Sequence, residues 1–195
     1  MNEPQIQSAA ISEEDGWFND RLFSTRTVLL NVPLDETAVR RVSQSLFILS
    51  GADSSLPIDL IISSYGGQDA SAFALYDLLK FLPAPVRCIA TGIVGGVAAV
   101  TYCAVPVERR LSLANTKFLL HQPQSGRVGS TADLEVAAQE LMRVRDRQHA
   151  ILAEATGKSI QDIGKDTQRK KWLDVEEAIE YGLVSRVLSS RADLE

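Results

Sequence analysis

Two glycine-rich stretches of the sequence are placed where backbone N–H groups could hold a carbonyl oxygen. Residues 64–67 and 92–96 each follow an apolar run typical of a buried strand, and each leads into a helix. N–H groups at a helix N-terminus carry a partial positive charge. The carboxyl ends of neighbouring parallel strands meet at one edge of a sheet, so we expect the two sets of donors to converge. Converging donors of this kind form an oxyanion hole.

The second of these loops is predicted to turn sharply from strand to helix, as a loop that presents a nucleophile does, yet it contains no reactive side chain. It reads CIATGIVGGVAA over residues 88–99. A nucleophile must lie within hydrogen-bond reach of its base. The hydroxyl and thiol side chains nearby in sequence all lie outside the turn; they are Ser63, Ser64, Thr91, Thr101 and Cys103.

Histidine and cysteine are scarce in the chain. His121 and His149 are too few and too far apart to indicate a metal site, and we expect no metal or other cofactor. Cys88 and Cys103 stand in apolar surroundings, as buried reduced thiols of a cytosolic protein do. The sequence therefore predicts a cytoplasmic protein.

The composition indicates an ordinary globular chain with an acidic balance. The 195 residues are 45% hydrophobic and 23% charged, with a net charge of −5. A net negative charge argues against nucleic acid as a partner, because phosphate binding needs a basic surface. The longest apolar stretch, residues 88–107, is interrupted by Gly, Thr and Pro, so a membrane span is not expected.

Apolar periodicity and capping residues predict the elements that position the two loops. Strands are predicted at 27–32, 58–63, 86–91 and 183–188, and a pair of short strands at 109–113 and 117–121 around the turn at Ala114 and Asn115. Helices are predicted from the Asp35 cap to Gly51, over 69–82 and 95–105, from the Ser130 cap to Thr156 with Gly157 as the stop, and after Ser159 and Asp174. Residues 1–20 are predicted to be a flexible arm, and 21–195 one domain.

Four segments resemble the Clp protease proteolytic subunit family: IISSYGG (61–67), GIVGGVAA (92–99), LANTKFLLHQP (113–123) and AIEYGLVSRVL (178–188). The resemblance runs from about Arg21 to Leu188. It implies an α/β fold of the ClpP/crotonase-like type, a spiral of βαβ units with a protruding strand-turn-helix handle at about 122–156. It also implies two stacked heptameric rings of serine peptidase subunits, which an ATP-driven unfoldase supplies with unfolded polypeptide.

The resemblance implies a Ser-His-Asp triad, and this chain matches only part of it. Gly67 and Val97 match the positions whose N–H groups form the oxyanion hole. His121 matches the base. Gly96 stands where the family has its nucleophilic serine, and an ungapped count puts Lys170 at the position of the triad aspartate.

These two replacements predict a subunit that is inactive alone. Glycine has no side chain to attack a carbonyl, and a lysine cation beside His121 disfavours the imidazolium that proton transfer requires. The interpretation is therefore a non-catalytic subunit that forms a heptameric or tetradecameric ring with itself and with a catalytically intact paralogue. Whether the chain is an enzyme stays open at this point.

Two alternatives remain open from the sequence. The first is an active Clp-type peptidase with displaced catalytic residues, for which Asp166, one helical turn before Lys170, is a candidate. The second is an acyl-CoA enzyme of the crotonase superfamily, which would use glycines at the place of Gly95 and Gly96.

The sequence also departs from the Clp protease pattern at two further places. The first lies in the substrate groove, since Tyr65 stands where the family has proline. The arm also lacks the family's usual pore-loop signature, which leaves contact with an unfoldase in doubt.

Overall fold

Alternating strands and helices build a mostly parallel sheet with helices packed on it. The computed structural model describes residues 21–124, 126 and 128–194. The strands are β1 (Thr27–Leu30), β2 (Ile58–Ser64), β3 (Val86–Gly95), β4 (Arg110–Leu113), β5 (Lys117–Leu120), β6 (Lys171–Leu173) and β7 (Arg186–Leu188). The helices are α1 (Glu36–Ala52), α2 (Asp69–Phe81), α3 (Val97–Tyr102), α4 (Thr131–Thr156), α5 (Ile160–Gln168) and α6 (Val175–Tyr181). The predicted arm at 1–20 lies outside the described residues.

Helix ends fall where the capping residues predict them. The side chains of four N-cap residues accept a hydrogen bond from the first turn of their helix: Asp35, Ser130, Ser159 and Asp174. The left-handed φ angles of 73° at Gly157 and 87° at Gly182 end α4 and α6. The predicted stop at Gly51 is early by one residue, because α1 continues through Ala52.

The sheet has the order β1-β2-β3-β4-β7, and every pair along this path is parallel. β5 continues on the β4 side of β3, where it also pairs in parallel, and β6 adds to β5 in antiparallel direction. The register of β2 against β3 shifts between Ile62 and Ser64, opposite the left-handed Gly92 with φ 60°. This bulge redirects the end of β3 and so aims the glycine turn that follows.

Two sequence predictions are wrong at this end of β3. The helix predicted over 95–105 is limited to α3, because β3 extends to Gly95, where it pairs with β5. The strands predicted as a pair around the turn at Ala114 and Asn115 do not pair with each other. β4 and β5 both lie along β3 instead, one after the other, because β3 is ten residues long and offers room for both.

The main core lies between the sheet and helices α1, α2 and α3. Residues of β2 and β3 alternate between the two faces, so Leu60 and Ala90 join the main core while Ile89 joins a small cluster on the opposite face. All six residues of α3 are buried. The helix that follows the glycine turn is therefore held rigidly from every side.

Most of helix α4 is exposed to solvent in the single chain. Its buried residues begin only at Gln148, and Leu134, Val136 and Met142 are exposed along the preceding turns. The described residues between β5 and α4 form neither strand nor helix, so no handle strand is seen among them. No helix within the described ranges is long and apolar enough to cross a membrane.

The buried end of α4 is joined to α5 by His149. Its Nε2 atom lies 2.8 Å from Oγ1 of Thr167. Burial lowers the pKa of His149, and the charge of Arg145 lowers it further, while Asp146 opposes the shift. The neutral imidazole is therefore the form that the fold accommodates.

We expect the free energy of unfolding to fall as the pH decreases through the ordinary histidine pKa of about 6.5. In that range the unfolded chain binds a proton that folded His149 resists, so acid favours unfolding. Thermal unfolding measured at several pH values between 7.5 and 5 should show a smaller loss for His149→Gln than for the wild-type chain. Equal losses in both proteins would contradict this role of His149.

Candidate functional site

The first glycine loop is fixed by a backbone bridge to Leu34. The N–H of Leu34 donates to the carbonyl of Gly66 at 2.9 Å, and its carbonyl accepts from Gln68 at 2.8 Å. Gly67 lies between these two bonds, so its own N–H points away from Leu34. A Cβ atom at Gly67 would lie 2.4 Å from the carbonyl oxygen of Leu34, and this close approach requires glycine.

The second glycine loop lies directly against the first. A Cβ atom at Gly66 would lie 3.1 Å from the carbonyl oxygen of Gly95 and 3.5 Å from the nitrogen of Val97. A Cβ atom at Gly95 would lie 3.2 Å from the carbonyl oxygen of Tyr65. The backbones therefore touch, and the N–H groups of Gly67 and Val97, for which no acceptor occurs among the described residues, lie at one edge of the sheet. The predicted convergence of the two loops is found.

Gly96 occupies the turn itself and faces His121. Its φ and ψ of 52° and −127° are strained for any residue with a side chain. Its N–H donates to the carbonyl of Leu119 at 2.8 Å, which holds the turn against β5. A Cβ atom at Gly96 would lie 2.8 Å from Nε2 of His121. A side chain at this position would thus project toward the imidazole.

The imidazole of His121 is oriented by a backbone carbonyl. Nδ1 lies 2.8 Å from the carbonyl oxygen of Gln122. A carbonyl can only accept, so Nδ1 donates, and in the neutral imidazole the lone pair of Nε2 then faces Gly96. This orientation is the one that a general base at His121 would require.

Lys170 and His121 leave the β5–β6 ladder at the same end. The ladder ends at the pair of Leu120 and Lys171, and the N–H of Gln122 then donates to the carbonyl of Thr167 at 3.3 Å, so the register does not continue past this pair. Lys170 is exposed and forms no ion pair or hydrogen bond with another described residue. The position that the resemblance gives to an aspartate is thus occupied by an exposed cation at this end of the ladder.

Asp166 is engaged away from His121. One carboxylate oxygen accepts from Nζ of Lys171 at 2.9 Å and the other from the hydroxyl of Tyr181 at 2.7 Å. Burial alone would raise the pKa of Asp166, but these two hydrogen bonds lower it overall. Both carboxylate oxygens of Asp166 are therefore engaged by partners other than His121.

A small cavity of about 140 Å³ collects the predicted site residues. Gly67, Gly96, Val97 and His121 all line it. Its other described lining residues are Tyr65, Gly66, Asp69, Pro123, Gln124 and Gln148. Tyr65 is 68% exposed and stands at the rim of the cavity, so it does not fill the cavity floor.

Asp69 and Gln148 are cavity residues that the sequence does not predict. Asp69 opens α2 directly after the glycine loop, and an acidic residue there reads as ordinary helix-start chemistry. Gln148 is 79 residues further along the chain, and only the packing of α4 brings its Nε2 atom within 2.8 Å of Oδ1 of Asp69. No sequence signal identifies that contact.

The nearby hydroxyl and thiol side chains do not reach this cavity. Ser64 Oγ donates to the carbonyl of Gly66, and Thr101 Oγ1 to that of Val97. Burial raises the pKa of Cys103 to about 11 and that of Cys88 further, so both thiols stay protonated at neutral pH. Ser63 and Thr91 are likewise not among the described lining residues.

A larger cleft of about 560 Å³ lies elsewhere, beside α2, α3 and α4. The buried Arg110 forms part of its wall and donates to the carbonyl oxygens of Ala155 and Gly182, which end α4 and α6. Carbonyl oxygens at helix C-termini carry partial negative charge, so this guanidinium has a structural role. The predicted site residues all lie outside this cleft.

Comparison with known proteins identifies the family of the chain. A sequence model described as Clp protease matches residues 12–191. The chain is 41% identical over 173 residues to the ATP-dependent Clp protease proteolytic subunit 3 of Rhizobium etli, covering 89% of each chain. It is 34% identical to the proteolytic subunit 2 of Treponema pallidum, covering 91% of this chain and 89% of that one.

A solved structure agrees with these sequence matches. A mutant of ClpP1 from Listeria monocytogenes superposes with a TM-score of 0.85 at 34% identity, covering 91% of this chain and 99% of that one. The α/β fold of the ClpP/crotonase-like type is thus confirmed, and the acyl-CoA alternative is not favoured. With a family model that matches nearly the whole length and a relative at 41% identity, this chain belongs to the Clp protease family.

Proposed function

We propose that this chain is a non-catalytic subunit of an ATP-dependent Clp-type peptidase, built into a heptameric or tetradecameric ring beside a catalytically intact paralogue. The observation that carries the proposal is the short distance between Gly96 and His121. A Cβ atom at position 96 would lie 2.8 Å from Nε2 of His121, but the residue there has no side chain that could act as a nucleophile.

The charge of Lys170 supports the same proposal. In serine peptidases a carboxylate stabilises the imidazolium that forms when the base takes up the proton. At the position that the resemblance gives to this carboxylate, the chain has Lys170, a cation at the end of the ladder where β5 leads into His121. A nucleophile supplied from elsewhere would still meet a base whose charged form is disfavoured.

The exposed apolar surface of α4 supports assembly into a ring. Its exposed apolar residues have no partner in the single chain, and burying them against a second subunit removes apolar area from water. Partners within the proposal are copies of this chain, the paralogue, an ATP-driven unfoldase and unfolded polypeptide. A cytoplasmic location belongs to the same proposal, as does the absence of a nucleic-acid partner.

The test combines a covalent probe with an assembly measurement. The purified chain is treated with a fluorophosphonate, and intact mass spectrometry should find no adduct, because no activated hydroxyl faces the cradle. Native mass spectrometry of the chain mixed with an intact family member should find particles that contain both. An adduct whose formation is lost in His121→Ala would establish displaced catalytic residues and overturn the proposal.

A further inference from the structure

The site cavity contains a carboxylate that neither the cradle nor the His121 base requires. Asp69 is the first residue of α2 and lines the cavity together with Gly67, Gly96 and His121. Its side chain does not cap its own helix, since its hydrogen-bond partner lies on α4. The carboxylate is therefore directed by a tertiary contact and not by local helix chemistry.

That tertiary contact fixes the orientation of the carboxylate. Nε2 of Gln148 donates to Oδ1 of Asp69 at 2.8 Å, and Gln148 is only 3% exposed. Oδ2 has no hydrogen-bond partner among the described residues. A held carboxylate with one free oxygen can accept a hydrogen bond from a ligand without first being ordered.

The charge of Asp69 has no matching cation within the described part of the cavity. Apart from His121, the other described lining residues carry no basic side chain. Burial raises the pKa of Asp69, and the bond from Gln148 and the charge of His121 oppose that shift only in part. A partly buried carboxylate without a cation is costly, and a ligand that brings a cation removes that cost.

We propose that this cavity binds extended polypeptide with a lysine or arginine side chain directed at Oδ2 of Asp69, so that the subunit selects segments carrying a basic residue. The peptide carbonyl lies against the N–H groups of Gly67 and Val97. The inference rests on the proposed function, because it treats the site as one that holds peptide without cleaving it. Asp69 acts here as a specificity-determining residue.

The test compares matched peptides on the full-length chain. Fluorescein-labelled, alanine-rich decapeptides carry lysine, arginine, norleucine or glutamate at one central position, and binding is followed by fluorescence anisotropy. We expect the two basic peptides to bind about 10-fold more tightly than the norleucine peptide, and the glutamate peptide to bind more weakly still. The preference should decrease with added salt.

Two variants assign the preference to this cavity. Asp69→Asn keeps an oxygen that can accept from Gln148 but removes the charge, and should reduce the basic preference to less than about 2-fold. The matched control is Asp77→Asn, which removes a charge from the same helix at an exposed site paired with Arg147 outside the cavity. That variant should keep the full preference.

The outcomes separate this inference from the proposed function. Equal affinity for all four peptides, a preference that survives Asp69→Asn, or no binding of any peptide up to about 1 mM would each overturn the inference. These binding results do not test whether the chain is catalytically inactive, because the fluorophosphonate experiment tests that separately. A covalent adduct in that experiment would contradict the proposed function, whichever peptides bind.

Discussion

The double variant Gly96→Ser/Lys170→Asp should become reactive toward a fluorophosphonate, whereas the wild-type chain should not. The new hydroxyl would project toward Nε2 of His121, and the new carboxylate would restore the charge that the family resemblance implies at position 170. In serine peptidases, loss of the nucleophile costs about 10⁶-fold and loss of the aspartate about 10⁴-fold in kcat. Restoring both residues should therefore give a large gain in reactivity.

The single variant Gly96→Ser should react at least about 100-fold more slowly than the double variant, since Lys170 still opposes the imidazolium. The imidazole must also shift to admit the new Cβ atom, which would lie 2.8 Å from Nε2, and this limits the gain in both variants. Intact mass spectrometry over a time course gives the rates.

The matched control for this experiment is Gly96→Ala/Lys170→Asp. It introduces the same Cβ atom and the same backbone strain without a hydroxyl, so it should stay unlabelled. Labelling of this control, or of the wild-type chain at a similar rate, would show that another side chain reacts and that position 96 is not the vacant nucleophile position.

Gly67→Ala should destabilise the folded chain by at least about 3 kcal/mol, at the upper end of the cost of overpacking. The new Cβ atom would lie 2.4 to 2.8 Å from backbone atoms of Leu34, which cannot swing aside as a side chain can. The bridge that fixes the first loop would have to open, and Gly67 would move from its place in the cavity wall.

Gly51→Ala is the matched control for this substitution. No atom lies within 4 Å of a Cβ atom there, and the residue is in the last turn of α1, so alanine should be neutral or stabilise by up to about 1 kcal/mol. Thermal unfolding of both variants gives the comparison. A melting temperature for Gly67→Ala within about 2 °C of the wild-type value would contradict the crowding at Leu34.

The sequence predicts local structure best where one side chain determines it. The caps at Asp35, Ser130 and Asp174 form as expected, because a cap depends on a hydrogen bond within one turn. The pairing of β4 and β5 with β3 could not be derived in this way. Two short strands joined by a tight turn resemble a hairpin, and only the length of β3 and the bulge at Gly92 decide otherwise.

The same distinction holds for the site. The glycine loops and His121 were predictable, because motif residues of the family sit in them and parallel strands bring their ends together. Asp69 and Gln148 were not, because their contact depends on how α4 crosses the end of α2. The roles assigned to Gly67, Gly96, Val97, His121 and Lys170 stay predictions.

Helix α4 has exposed turns at one end and contacts with the site at the other. Near its buried end, Gln148 donates to Asp69 and His149 contacts Thr167, whose carbonyl in turn accepts from the N–H of Gln122 beside His121. A displacement of the exposed turns along the helix axis would therefore change both contacts at once. In this way α4 couples the surface of the chain mechanically to the cavity that contains His121.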